Sequence, residues 1–206
     1  MSRGVQANYS HGPLTISVSL TDGYYSNRYN WLTGLVSYAV TKKDTLAFVG
    51  GGNLGSTPKS TFATIPALNN SSIYNVLWTH TEDKWVFNPY FQYTHTDGNP
   101  ALGWLHSSST WGFGGLAKYQ FTPVFNIAAR VEYVKQTGTS GDPLAPTLLY
   151  GPGADGWSLT ITPTYQMGVF FLRADGAYAH TSVPIFGSAL TEKNQFRFTA
   201  ETGVLF

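Results

Sequence analysis

The chain contains no cysteine, which removes disulfides, thiolate metal sites and cysteine nucleophiles from consideration and leaves the redox compartment open. Charge is scarce as well: 11% of the 206 residues are Asp, Glu, Lys or Arg, and the formal net charge is +1. So weak a field gives no reason to expect nucleic acid or a strongly charged partner. No run approaches the roughly 20 consecutive apolar residues of a membrane-spanning helix, so any span has to be built from strands. The start, Met1-Ser2-Arg3-Gly4-Val5, has no apolar stretch of the kind that marks an export signal.

What is abundant is aromatic and turn-forming. Phe, Trp and Tyr make up 16% of the chain, and its 22 Gly and 11 Pro are spread along the whole length. The first suits a surface facing lipid more than water, and the second suits many short strands joined by turns.

The repeated signal is alternation. Leu14, Ile16, Val18 and Leu20 alternate with Thr15, Ser17 and Ser19; Trp85, Phe87, Phe91 and Tyr93 with Asn88 and Gln92. Phe125, Ile127, Ala129, Val131 and Tyr133 alternate with Asn126, Arg130 and Glu132, and Trp157, Leu159 and Ile161 with Ser158, Thr160 and Thr162. The last segment sets Phe196, Phe198, Ala200, Val204 and Phe206 against Gln195, Arg197, Thr199 and Glu201. Such segments predict about eleven strands, near 4–9, 13–21, 31–40, 45–52, 72–81, 85–95, 109–119, 124–136, 157–166, 169–179 and 195–206, with no helix required. Tight turns at 10–12, 41–44, 82–84, 120–123 and 166–168 alternate with longer links at 22–30, 53–71, 96–108, 137–156 and 180–194. Short turns on one rim and long loops on the other form the known asymmetry of outer-membrane barrels, the short ones periplasmic.

A soluble β-sandwich or lipocalin-like barrel also alternates, and three features weigh against it. Lys118, Arg130, Glu132, Arg173, Asp175, Arg197 and Glu201 all share the parity of the polar residues, and the opposite parity is nearly free of charge. Aromatics cluster near strand ends, as at a membrane interface: Trp78, Trp85, Tyr119 and Tyr165 toward the short turns, Trp31, Trp111, Tyr133, Trp157 and Tyr178 toward the long loops. Finally, a strand of alternating aromatics closing on Phe206 resembles the signal that barrel assembly machinery reads in its substrates. The expectation is an all-β, single-domain antiparallel transmembrane barrel over residues 1–206, in contact with outer-membrane lipids. Pro89 and Pro163 fall inside predicted strands and share the lipid-facing parity, which predicts a bulge or distortion at each. An odd strand count conflicts with the even number usual in bacterial barrels, so the chain is expected to hold 10 or 12 strands or to be the C-terminal part of a larger barrel.

The stretch Trp85-Val86-Phe87-Asn88-Pro89-Tyr90-Phe91-Gln92-Tyr93, the hairpin before it through Glu82-Asp83-Lys84, and the closing Phe196-Arg197-Phe198-Thr199-Ala200-Glu201 resemble the OmpL-like β-barrel porins. The resemblance spans most of the chain but only the C-terminal half or so of a typical member. It implies a porin of the outer membrane of a Gram-negative bacterium.

Motifs for other chemistry are weak. Gly151-Pro152-Gly153-Ala154-Asp155-Gly156 fits a dinucleotide fingerprint, but a strand follows it where the pyrophosphate needs a helix N-terminus. Gly50-Gly51-Gly52-Asn53 lacks the Lys-Ser/Thr of a phosphate loop. His11, His80, His95, His106 and His180 have no metal-ligand spacing and lie near turns; a barrel hydrolase would need a Ser and an orienting group to converge on His95 or His180. Asp97-Gly98-Asn99 and Asp142-Pro143 read as turn formers before calcium ligands. The charges on the polar parity are the better candidates. As pore-lining residues, Arg130 with Glu132, Arg173 with Asp175 and Arg197 with Glu201 would set a transverse field across water; as mutual pairs they would brace the wall for about 0–1 kcal/mol each. Near-balanced sign predicts no strong ion selectivity. The functional expectation is passive diffusion of small hydrophilic solutes, without cofactor, metal or catalysis; a plugged adhesive barrel is the rival, and the oligomeric state stays open.

Overall fold

The computed structural model describes residues 3–23, 28–58 and 66–205. Its strands are β1 Gly4–His11, β2 Leu14–Thr21, β3 Trp31–Ala39, β4 Asp44–Asn53, β5 Ser71–Glu82, β6 Trp85–Thr96, β7 Ser108–Thr122, β8 Phe125–Gln136, β9 Asp155–Met167, β10 Phe170–Thr181 and β11 Asn194–Val204. They form one 11-stranded sheet in sequence order, each strand antiparallel to its neighbours in the chain. Every inner strand is thereby hydrogen-bonded to a neighbour on both sides, the condition for crossing lipid. β1 and β11 each have one strand neighbour, so the sheet is open there among the described residues.

Local chemistry explains the short rim. The pairs His11 with Leu14, Glu82 with Trp85 and Met167 with Phe170 leave two-residue loops, and Gly12, Asp83 and Gly168 take the positive φ (54°, 48° and 59°) that such loops require. At the β7–β8 turn the register shifts between Gln120 and Thr122, while the Gln120 amide donates to Thr122 O at 2.7 Å and the Thr122 hydroxyl accepts from Phe125 N at 3.1 Å. The β3–β4 turn is held by Thr41, whose hydroxyl donates to Asp44 at 2.6 Å.

The distribution of apolar surface is inverted relative to a water-soluble sandwich. Among the described residues the buried hydrophobics are Trp31, Ala67, Ala145 and Ala154, whereas Val76, Trp78, Phe113, Val131, Ile161 and Phe198 are exposed. All six of the latter share the apolar parity, which is the face that lipid covers in a barrel of this kind.

Pro89 and Pro163 each bring the expected local distortion as a break in one ladder rather than a bulge: pairing runs Leu77 with Tyr90 and then His80 with Phe87, and Gly176 with Ile161 and then Arg173 with Thr164, so register is kept across each interruption. Each proline omits a ladder donor toward one neighbour only, and beside Pro89 the Asn88 amide supplies replacements, donating to Trp78 O at 3.4 Å and to the Thr79 hydroxyl at 2.5 Å. The long links also hold short helical turns, α1 Pro66–Asn69 and a 3-10 turn at Pro100–Leu102 capped by the Asn99 side chain.

Candidate functional site: the polar face

Because side chains alternate, antiparallel register alone decides which polar residues become neighbours. Arg130, Thr160, Ala177 and Arg197 stand opposite one another in one row across β8 to β11. Two residues nearer the long loops, Tyr90, Gly114, Glu132 and Ser158 make a second row from β6 to β9. Toward the short turns, Lys118 lies opposite Ala128 and Ala128 opposite Thr162, and beyond them Arg173 faces Glu201. Successive rows are about 6.7 Å apart along the strands, so the seven predicted charges occupy a belt of about 20 Å. Arg130 and Arg197 together line two polar depressions of about 160 and 290 Å³, which also take in Ser158, Thr160, Thr162 and Asp175.

Pairing within this belt departs from the sequence expectation at two of its three pairs, Arg173 with Asp175 and Arg197 with Glu201. Arg130 Nε reaches Glu132 Oε2 at 3.0 Å, as two residues on one strand face should. Arg173, however, pairs across strands with Glu201 instead of along its own strand with Asp175, because directly opposite residues stand closer than i, i+2 neighbours. Asp175 accepts from the Thr162 hydroxyl. Glu132 further accepts from Tyr90 Oη and from Ser158 Oγ, the latter at 3.2 Å. No ion pair or hydrogen bond engages Lys118 or Arg197 among the described residues.

Tyr90 is a participant that composition did not single out. It sits on the polar parity of β6, one strand too far to reach Glu132 unless nothing stands between them. Gly114 is what stands between: a Cβ there would lie 2.5 Å from Tyr90 Oη. The available signal was an aromatic residue out of phase with Trp85, Phe87, Phe91 and Tyr93.

At the long-loop rim the same face is covered. Thr94, Thr96, Ser108, Thr110, Gln136 and Thr181, all at strand ends, are buried. Gln136, 1% exposed, donates to Pro146 O at 2.8 Å and Ser108 Oγ at 3.2 Å and accepts from Leu148 N at 3.1 Å, pinning loop 137–154 over the wall. Segments 54–58 and 66–70 are held by Asn70, which accepts from Thr57 N at 2.7 Å and donates to Thr57 O and Pro66 O, and Thr96 Oγ1 donates to Ala67 O at 3.4 Å. His106 contacts Asp142 at 2.7 Å and its amide donates to Leu144 O, joining two long loops; this contact and the Leu144 amide hold the Asp142 carboxyl below the ordinary carboxylate range.

The aromatics fall into two groups on the apolar face. Trp85 stacks on Phe87 at 5.2 Å and meets Tyr119 at 4.5 Å near the short turns, where Trp78 Nε1 donates to Asp44 at 3.0 Å. There too Glu82 holds the Lys43 ammonium above the usual lysine range. Near the long loops Trp111 meets Tyr93 at 4.5 Å, and Trp157 meets Tyr178 at 5.3 Å. Trp31 does not join them: opposite Thr21 and Asn53 it has the inner parity, and it is 7% exposed. Gly23 leaves it room, since a Cβ there would come within 2.9 Å of Trp31 Cβ. Phe206, expected as an assembly signal, lies outside the described residues.

Of the histidines, His95 makes the most suggestive contacts, with Ser109 Oγ at 2.7 Å and Asp97 Oδ1 at 3.1 Å. An acyl-transfer site also needs free donors for an oxyanion. The Ser109 amide is already given to Thr137 Oγ1 at 3.0 Å, and Asp97 is 91% exposed at its side chain, so the arrangement is a polar clasp between strand ends. Gly151–Gly156 leads into β9 and not a helix, and Gly50, Gly51 and Gly52 belong to β4.

An antiparallel sheet with an aromatic-belted apolar face and a charged, hydroxyl-rich opposite face, short turns at one rim and long loops at the other, is a bacterial outer-membrane β-barrel. The chain belongs to the family described as "Putative beta-barrel porin-2, OmpL-like", which matches residues 1–206. It is similar in fold to a loop L8 deletion mutant of OmpT, an outer membrane protein of Vibrio cholerae, with a TM-score of 0.67 at 14% identity over 96% of this chain and 61% of that one. The chain thus spans less than two thirds of that protein's length. A second similar structure is OpdL of Pseudomonas aeruginosa, with a TM-score of 0.47 at 12% identity over 100% of this chain and 72% of that one. No curated protein sequence matches the chain. The protein resides in the bacterial outer membrane, as its family and the barrel fold require.

Proposed function

We propose that this chain forms the wall of a water-filled pore through which small hydrophilic solutes diffuse passively. The observation that carries the reading is the unpaired state of Lys118 and Arg197, both inside their strands β7 and β11, among the described residues. A charge without a partner cannot sit in a dry interior or against lipid, where it costs several kcal/mol or more. It needs water, and the face that carries it therefore borders an aqueous lumen. Segments 66–70 and 137–154, tied over this face, would narrow the outer mouth and set a size limit, as a selective pore uses them. Outer-membrane lipids are the partner of the apolar face, and barrel assembly machinery that of the closing strand. The reading assigns transport and no catalysis. It is tested by single-channel recording of the full-length protein in planar bilayers: discrete stable steps are expected, and a folded β-protein that never conducts would overturn it.

A further inference from the structure

We propose that the lumen wall carries a binding step for small carboxylates, built on Arg197 and Arg130 with the hydroxyl of Thr160. The proposal rests on the pore reading above and adds a solute class to it. Counted formally, the belt is near balance, with Lys118, Arg130, Arg173 and Arg197 against Glu132, Asp175 and Glu201. Its pairing is not balanced. Every acid is engaged: Glu132 by Tyr90, Ser158 and Arg130, Asp175 by Thr162, and Glu201 by Arg173. Lys118 and Arg197 have no such partner, and Arg130 spends only its Nε on Glu132. A solute in the lumen therefore meets acids whose oxygens are already engaged and two cations, Lys118 and Arg197, that are not.

Geometry turns that surplus into a site. Arg130 and Arg197 share one row, and between them lie Thr160 and Ala177. The small Ala177 leaves the floor open, and Thr160 presents a hydroxyl donor in the gap. Both arginines border the depressions of about 160 and 290 Å³, volumes suited to an acid of a few carbons. A guanidinium offers a planar fork of N–H donors that matches the two oxygens of a carboxylate, whereas chloride uses only its charge. Binding in a wet lumen should be weak, with a dissociation constant of about 1 mM or higher, so that the solute also leaves.

The test is the reversal potential of the full-length protein in planar bilayers under a potassium chloride gradient, followed by block of that current by succinate. Anions are expected to be preferred by about threefold, the scale a one-sign surplus of exposed charge can supply. Arg197→Gln should bring the ratio to near unity and abolish the block. Arg197→Lys, which keeps charge and bulk, should keep the preference and lose most of the block. Arg173→Gln, which frees Glu201, should move selectivity toward cations. A conducting pore with no anion preference, or with block unchanged in Arg197→Gln, overturns the proposal and leaves the pore reading standing. A protein that folds without conducting overturns the pore reading instead. The site is then judged in detergent micelles by saturation transfer to benzoate: a signal lost in Arg197→Gln supports it, and no signal, or one unchanged by the substitution, overturns it.

Discussion

Replacing Gly114 by alanine tests whether the second polar row is held by steric permission. The added Cβ would lie 2.5 Å from Tyr90 Oη and 2.7 Å from its Cε1, far inside contact distance, so the ring must leave. With it goes the hydrogen bond to Glu132, worth about 1.5–3 kcal/mol for an ionised acceptor. Removing glycine from the unfolded chain returns about 0.4–1 kcal/mol, and Glu132 keeps Arg130 and Ser158. The net cost should be about 1–2 kcal/mol. Gly112 is the internal control, on the same strand and face, where a Cβ would meet Val134 Cγ2 at an ordinary 3.6 Å. Urea unfolding from lipid vesicles should therefore show Gly114→Ala destabilised and Gly112→Ala unchanged or slightly stabilised. In a Tyr90→Ala background the Gly114 substitution should cost little, since its target is gone. Equal stability of the two glycine variants, or full additivity with Tyr90→Ala, would refute the argument.

Gln136→Ala should release loop 137–154 from Pro146 O and the Leu148 amide and cost about 1–3 kcal/mol locally; the readout is faster proteolysis of that loop, with barrel melting barely changed. The Asp142 carboxyl is depressed in the folded state from an ordinary 3.8, so its contribution to loop docking is fully present above that value and is lost as pH falls through the lower folded one. Hydrogen exchange at the Asp142 and Leu144 amides should accelerate in that acid window, and Asp142→Asn should remove the dependence. Trp85→Ala, which ends the ring contacts with Phe87 and Tyr119, should destabilise the barrel by about 1–3 kcal/mol in vesicles, and an unchanged unfolding midpoint would deny it a place in the aromatic belt.

Much of the strand pattern was legible because a strand's period of two needs no tertiary information: Leu14 to Leu20 or Phe125 to Tyr133 declare their face by alternation. The same parity put Lys118, Arg130, Glu132, Arg173, Asp175, Arg197 and Glu201 on one face before any fold was known. Trp31 was misread because aromatic character near a strand end does not state parity; the pairing with Thr21 and Asn53 does. Pro89 and Pro163 were legible as sites of local distortion, but that each interrupts one ladder only and keeps register is a tertiary fact, and Asn88 compensates beside the first.

By itself, then, the sequence determined about eleven alternating strands, their apolar and polar faces and their short and long rims, all properties written in local periodicity; the family came from the resemblance of particular stretches. Register decided the rest. Which acid meets which base, why Tyr90 crosses Gly114, and why Arg197 is left over depend on residues far apart in the chain being brought opposite one another. Backbone pairing brings them there, and no local pattern encodes it.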